Sequence, residues 1–263
     1  MKLLFIKSLW GMEGTLPQQL DQIAGAGYDG VECPIPGSSS AVAELRREVE
    51  ARGLTYVAQC FHNTPENLLP DLERAAESGA VRVALQGGLD RASWDEGCRF
   101  LEACLKGKAA TGTRLTVETH RGYLFFNPWQ TAAYLRQFPE IEITADFSHW
   151  VNVCEGSLPR CTEDIALAIT RAAHIHARVG YEHGPQVPDP AAPEYQYQVE
   201  RHIGWWQGMV KANKDRGEEF LTVDPEFGPA GYLHTLPHTN VPVANLWQIC
   251  LNFTARLRKE LTI

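Results

Sequence analysis

Several things are missing from this chain of 263 residues, and each absence removes a class of protein. No stretch approaches the roughly 20 consecutive apolar residues that span a bilayer. The opening MKLLFIKSLWGMEG breaks its apolar run at Lys7 and has no small-residue cleavage pattern, so neither a secretory leader nor a membrane partner is expected. No CxxC pair occurs. The seven cysteines, at positions 33, 60, 98, 104, 154, 161 and 250, are odd in number and scattered, which argues against a disulfide framework or a zinc ribbon. They read as reduced, mostly buried thiols of a cytoplasmic protein. Basic charge is in deficit, 24 Lys and Arg against 32 Asp and Glu, so the surface lacks the footprint that tracks nucleic-acid phosphates. A net charge of -8 instead suits a small neutral ligand or a bound cation.

What is present is a repeat. A composition of 44% hydrophobic and 21% charged residues supports a full core, and length alone allows one large domain or two small ones. Short β-branched or aromatic runs near 3-9, 30-33, 54-61, 80-86, 114-119, 141-147, 173-179 and 220-226 read as strands. Amphipathic segments lie between them: LPQQLDQIAGAG aligns Leu16, Leu20, Ile23 and Ala24, and AVAELRREVEARG aligns Val42, Leu45 and Val49. Thr64-Pro65 and Asn127-Pro128 read as helix starts, a capping side chain followed by a proline suited to the first turn. Gly27, Gly53 and Gly79 sit where left-handed helix ends belong. The last segment, PVANLWQICLNFTARLRKEL, closes the outer layer.

Eight strand-helix pairs in a chain of this size predict an α/β fold, a (β/α)8 TIM barrel, as a single domain over 1-263. A doubly wound open sheet has the same alternation. Two features favour the barrel: no GxGxxG follows the first strand, and polar residues close several different strands rather than one switch point. No linker or low-complexity tract suggests a further domain.

Four strand ends, in LTVETHRG, ITADFSHW, AAHIHARVG and LTVDPEFG, repeat one grammar: an apolar strand finishes in an acid or an imidazole. In a barrel these ends converge on one mouth. Glu118, Asp146, His176 and Glu226 then meet, the first two intervals matching βα units of about 30 residues and the third holding an insertion. Three carboxylates in a low-dielectric mouth repel one another unless a cation neutralises them. One divalent metal ion is expected, Mn²⁺ first: oxygen-rich ligation with one nitrogen and no thiolate favours Mn²⁺, Mg²⁺ or Co²⁺, with Zn²⁺ and Fe²⁺ compatible. A solvated strand end or a capping acid is the alternative for any one of the four.

VETHRG, TADFSHW, HIHARVG and PEFGP, with GYDGVE at 27-32 and KSLWGM at 7-12, resemble the sugar phosphate isomerase/epimerase group of xylose isomerase-like TIM barrels over essentially the whole chain. The resemblance implies a metal held by Glu118, Asp146, His176 and Glu226, with Glu118 and Glu226 as the catalytic acid/base pair and His149 orienting substrate. Ketose 3-epimerases of the group carry an Arg six residues after the ligand His, where this chain has Glu182; Arg178, two residues after His176, is the available substitute for holding a substrate oxygen.

Further substrate-binding candidates are His62 and Glu32, each a mouth contact or a plain loop residue, Lys7, a carbonyl polariser or a surface lysine, and His120, a proton carrier or a hydrogen-bonded bystander. The proline-rich insertion with Trp205 and Trp206 reads as a flap over the mouth or as helix packing.

The expected activity is a metal-dependent isomerase or epimerase on a small sugar or keto-sugar through an enediolate. A lyase or dehydratase on keto-sugars or keto-glycosides, and a non-catalytic sugar- or metal-binding barrel, remain alternatives. An endonuclease IV-like hydrolase is disfavoured, because the fourth strand ends in LQGG without an imidazole. The FGPAGYLHTLPHT loop lacks Lys and Arg, so an unphosphorylated sugar is the expected partner. Exposed aromatics are compatible with a homo-oligomer, with no interface legible.

Overall fold

A computed structural model describes all 263 residues. Eight parallel strands, β1 (Lys2–Ser8), β2 (Gly30–Pro34), β3 (Thr55–His62), β4 (Arg82–Gly87), β5 (Leu115–Glu118), β6 (Glu142–Ala145), β7 (Ala172–His176) and β8 (Phe220–Asp224), close into a barrel as β8 pairs with β1. Around it lie α1 (Leu16–Gly25), α2 (Ser39–Glu50), α3 (Leu68–Glu77), α4 (Trp94–Thr111), α5 (Pro128–Gln137), α6 (Phe147–Val153), α7 (Thr162–Arg171), α8 (Gln196–Asp215) and α9 (Leu246–Glu260). No helix is long and apolar enough to cross a membrane.

The barrel wall separates two cores. Ile6, Val57 and Ala84 fill its interior, while a cluster of 54 buried residues, including Phe5, Leu20, Leu45 and Phe253, lies between strands and helices. Because both faces of a parallel barrel strand are covered, β5 and β7 are buried at every position. Truncating a core leucine such as Leu45 is expected to cost about 2–5 kcal/mol.

Local signals explain most boundaries. Ser93 and Glu96 form a reciprocal capping box at the start of α4, and Asn127 accepts the Gln130 N–H at 2.8 Å to start α5 with Pro128 in its first turn. Gly27, Gly53 and Gly79 have φ of 78, 64 and 74°, the left-handed region expected at helix ends. The Thr64-Pro65 start fails. The Pro65 carbonyl instead accepts the Leu68 N–H in a tight turn, and α3 begins at Leu68 after Asn67. A short helix, α6, intervenes after β6, because Asp146 caps it by accepting the Ser148 N–H at 3.1 Å.

The insertion after β7 does not present its tryptophans to the mouth. Trp206 is buried against Phe253 of α9 and Trp205 packs on Phe147 of α6, so both fix α8 to its neighbouring helices. The loop ahead of α8 is tied to the end of β8 through Gln186, which donates to the Gly228 carbonyl at 3.2 Å and accepts the Gly228 N–H at 2.6 Å. Gly228 has no room for a side chain, since a Cβ there would lie 2.2 Å from the Trp10 ring.

Candidate active site and metal centre

At the C-terminal ends of β5 to β8, the ligand atoms of Glu118, Asp146, His176 and Glu226 lie within 4.8 Å of one another, and all four residues are buried. Glu118 and His176 are the last residues of β5 and β7, Asp146 follows β6 directly, and Glu226 lies two residues beyond β8. His176 Nδ1 stands 3.3 Å from Glu118 Oε1 and 3.2 Å from Glu226 Oε2. Asp146 divides its carboxylate: Oδ1 caps α6, and Oδ2 pairs with Arg178. The capping role and the site role thus coexist.

This cluster draws positive charge to itself. Burial would lower the His176 imidazole, but Glu226, Glu32 and Glu118 around it hold it well above its ordinary value. Burial pushes Glu226 up to about 7, whereas for Glu118 the opposing burial is outweighed by His176 and the group falls below the usual carboxylate range. Two carboxylates in one cavity are therefore driven apart, the condition for an acid and a base. Neighbouring Asp224 is held well above the usual range by burial and by Glu32.

The residues fit a divalent cation. Glu118 Oε1 and His176 Nδ1 are buried without hydrogen-bond partners, a costly state that ligation removes. His176 Nε2, on the opposite side of its ring, bonds Glu32 Oε1 at 2.9 Å. Glu32 Oε2 bonds His174 Nε2 at 2.8 Å, and His174 Nδ1 meets Thr222 Oγ1 at 2.7 Å. A carboxylate behind the ligand imidazole is the support that metal-binding histidines use.

The remaining sequence candidates divide. Arg178 and His120 line a cavity of about 410 Å³ at the barrel mouth, together with Glu226, Leu9, Trp10, Pro34, Gln59, Phe61, Gln86 and Tyr232. His149 lies fully buried behind Arg178, whose Nη2 approaches His149 Nε2 at 2.8 Å. Glu32 is fully buried and faces His174 and His176 instead of the cavity. His62 turns outward to Asp71 of α3 at 2.7 Å. Lys7 lines a separate cavity with Gln22 of α1 and Leu246 and Trp247 of α9. Glu182, standing where the ketose 3-epimerase arginine was sought, pairs with Arg201 of α8 at 2.9 Å and lies outside the mouth cavity.

Sequence reasoning missed Gln59, Gln86, Phe61 and Tyr232. Gln59 Nε2 donates to Glu226 Oε1 at 3.5 Å, and Tyr232 lies edge-on to Trp10 with ring centroids 4.9 Å apart. The amides fall on β3 and β4, where strand alternation could have flagged them once the barrel register was known.

No family model matches the chain, and no curated protein matches it in sequence. Solved structures do match in shape. D-allulose 3-epimerase from Methylomonas sp. superposes with a TM-score of 0.65 at 13% identity, covering 99% of this chain and 98% of that one. The 3-keto-D-glucoside 4-epimerase of E. coli gives 0.64 at 13% identity, covering 98% and 100%. A xylose isomerase domain protein from Alicyclobacillus acidocaldarius gives 0.61 at 16% identity, covering 98% of each chain. At such identities the likeness carries the fold alone: the chain adopts the xylose isomerase-like TIM-barrel fold.

Proposed function

We propose that the protein is a divalent-metal-dependent isomerase or epimerase that moves a proton on a small, unphosphorylated sugar or keto-sugar through an enediolate. The observation that carries this reading is the convergence of Glu118, Asp146, His176 and Glu226, one of which opens onto the mouth cavity. Epimerase activity in two barrels of the same shape supports it.

Glu118, Asp146, His176 and Glu226 would hold the ion, a donor set that favours Mn²⁺, Mg²⁺ or Co²⁺. When bound, it supplies Lewis acidity toward adjacent hydroxyl and carbonyl oxygens of the sugar, acidifying the C–H between them. Glu118 takes that proton, and Glu226, whose Oε1 accepts from Gln59 Nε2 at 3.5 Å, delivers one. Return to the opposite face epimerises, and return to the neighbouring carbon isomerises. Trp10, Phe61 and Tyr232 give the ring faces and water exclusion that a sugar needs. Arg178 supplies a guanidinium for a substrate oxygen.

Hydrogen-deuterium exchange at the carbon beside the carbonyl tests this, with Mn²⁺-loaded protein and a panel of keto-sugars. Exchange with recovery of a stereoisomer or positional isomer is expected. Exchange followed by loss of water or of an aglycone would reassign the protein as a lyase, and no exchange on any panel member would overturn the proposal.

A further inference from the structure

We propose that Lys7 forms the floor of a separate small-molecule site, which takes an organic carboxylate between β1, α1 and α9. Lys7 is neither a mouth residue nor a surface lysine. It is 1% exposed and lies on the outward side of β1 with Phe5, beneath the two helices. Its ammonium has three N–H donors and places one on the Ser8 carbonyl at 2.6 Å, with no carboxylate partner. Lys7 also lines a cavity of about 250 Å³. A buried ammonium without a counterion is costly, and although water can accept its remaining N–H bonds, only an anion also supplies the opposite charge.

The cavity is shaped for the rest of such a molecule. Trp10, Met12, Leu246 and Trp247 form its walls, while Glu13 and Gln22, both exposed, stand at its rim. The loop that carries Trp10 and Met12 is held in place from both sides. Gly11, at φ 78°, packs so closely on α9 that a Cβ would lie 2.7 Å from Leu246, and Gln19 Nε2 of α1 donates to the Met12 carbonyl at 3.1 Å. A carboxylate on Lys7 directs the ligand's body along the indole rings and its far end toward Glu13. An ammonium at that end suits the Glu13 carboxylate.

The competing reading is a lysine kept only to balance the barrel acids, since its charge acts on Asp224 as well. That reading leaves the buried ammonium with Ser8 as its one acceptor. The two readings differ in what removal of the charge does: a lysine needed by the barrel acids stabilises the empty protein, whereas a lysine awaiting a ligand burdens it. None of Glu118, Asp146, His176 and Glu226 lines this cavity, so the site stands or falls apart from the proposed function.

Isothermal titration calorimetry with γ-aminobutyrate, butyrate, chloride and inorganic phosphate tests the site. Both carboxylates are expected to bind, γ-aminobutyrate about threefold more tightly because of Glu13. Chloride and phosphate should bind about tenfold more weakly than either, since neither extends along the apolar walls. Lys7→Met keeps the length of the side chain and removes its charge; it should weaken both carboxylates about tenfold or more, and the ligand-free variant should melt at or above the wild-type temperature. Carboxylate binding that survives Lys7→Met overturns the site, and so does phosphate binding as tight as that of butyrate. No carboxylate binding to the wild type, with Lys7→Met melting below it, makes Lys7 a structural counterion instead. If Lys7→Met fails to fold, wild-type crystals soaked in γ-aminobutyrate decide: density against Lys7 supports the site, and density only at the mouth, or none, overturns it.

Discussion

The two halves of the barrel mouth differ in kind. The cavity wall built from β1 to β4 and their following loops presents Leu9, Trp10, Pro34, Gln59, Phe61 and Gln86, all uncharged. The wall from β5 to β8 presents His120, Arg178, Glu226 and Tyr232, with Glu118, Asp146 and His176 just beneath. Glu32 comes from the uncharged half but crosses the interior to hold His174 and His176. Under the proposed function the contrast becomes a division of labour: the charged half would carry proton transfer and cation binding, and the uncharged half would give shape and neutral hydrogen bonding to a polyhydroxyl ligand. Neutral amides suit that task, because a second charged wall would demand its own counterions.

The largest effects should follow damage to the charged half. Glu118→Gln and Glu226→Gln each keep the shape of the side chain while removing its proton chemistry, and kcat is expected to fall about 10²- to 10⁴-fold. Steady-state kinetics with metal in excess make the measurement; near-normal turnover in either variant would remove that carboxylate from proton transfer.

Glu32 gives an intermediate test across the divide. Glu32→Gln weakens the support behind His176, so divalent-ion affinity should drop about 10- to 100-fold, with much of kcat recovered at saturating metal. A loss of kcat that metal cannot restore, with affinity unchanged, would make Glu32 a participant in the chemistry instead.

The smallest effects belong to the uncharged half. Trp10→Ala and Gln59→Ala should raise KM roughly tenfold, about 1.4 kcal/mol of binding, and leave kcat within a few-fold. Losses of kcat as large as those of the carboxylate variants would erase the distinction between the walls.

The same comparison explains what could be read from the sequence. Strand positions were legible because apolar runs and glycine-marked helix ends punctuate the chain, and Glu118, Asp146, His176 and Glu226 stood out because one pattern repeats at βα intervals. Inward and outward direction was harder. Lys7 shares its alternation with Phe5, which packs in the outer core, while Ile6 between them fills the barrel interior; sequence alone gives the alternation but not its phase. His62 ends β3 as expected, yet a partner on the following helix, Asp71, draws it away. Glu32 ends β2, where the sequence predicts a mouth contact or a plain loop residue, but its bonds to His174 and His176 span the barrel, a relation no local pattern encodes. The uncharged wall left least trace, since glutamines and aromatics on strand ends look like ordinary packing until closure turns them to one space.

Every part of the proposed division depends on the charged half gathering a cation. Crystals soaked in MnCl2 and measured at the manganese absorption edge address it most directly. The account predicts one anomalous peak bonded jointly by Glu118, Asp146, His176 and Glu226. A fully occupied peak elsewhere, or none at saturating manganese with those four side chains in place, would contradict it.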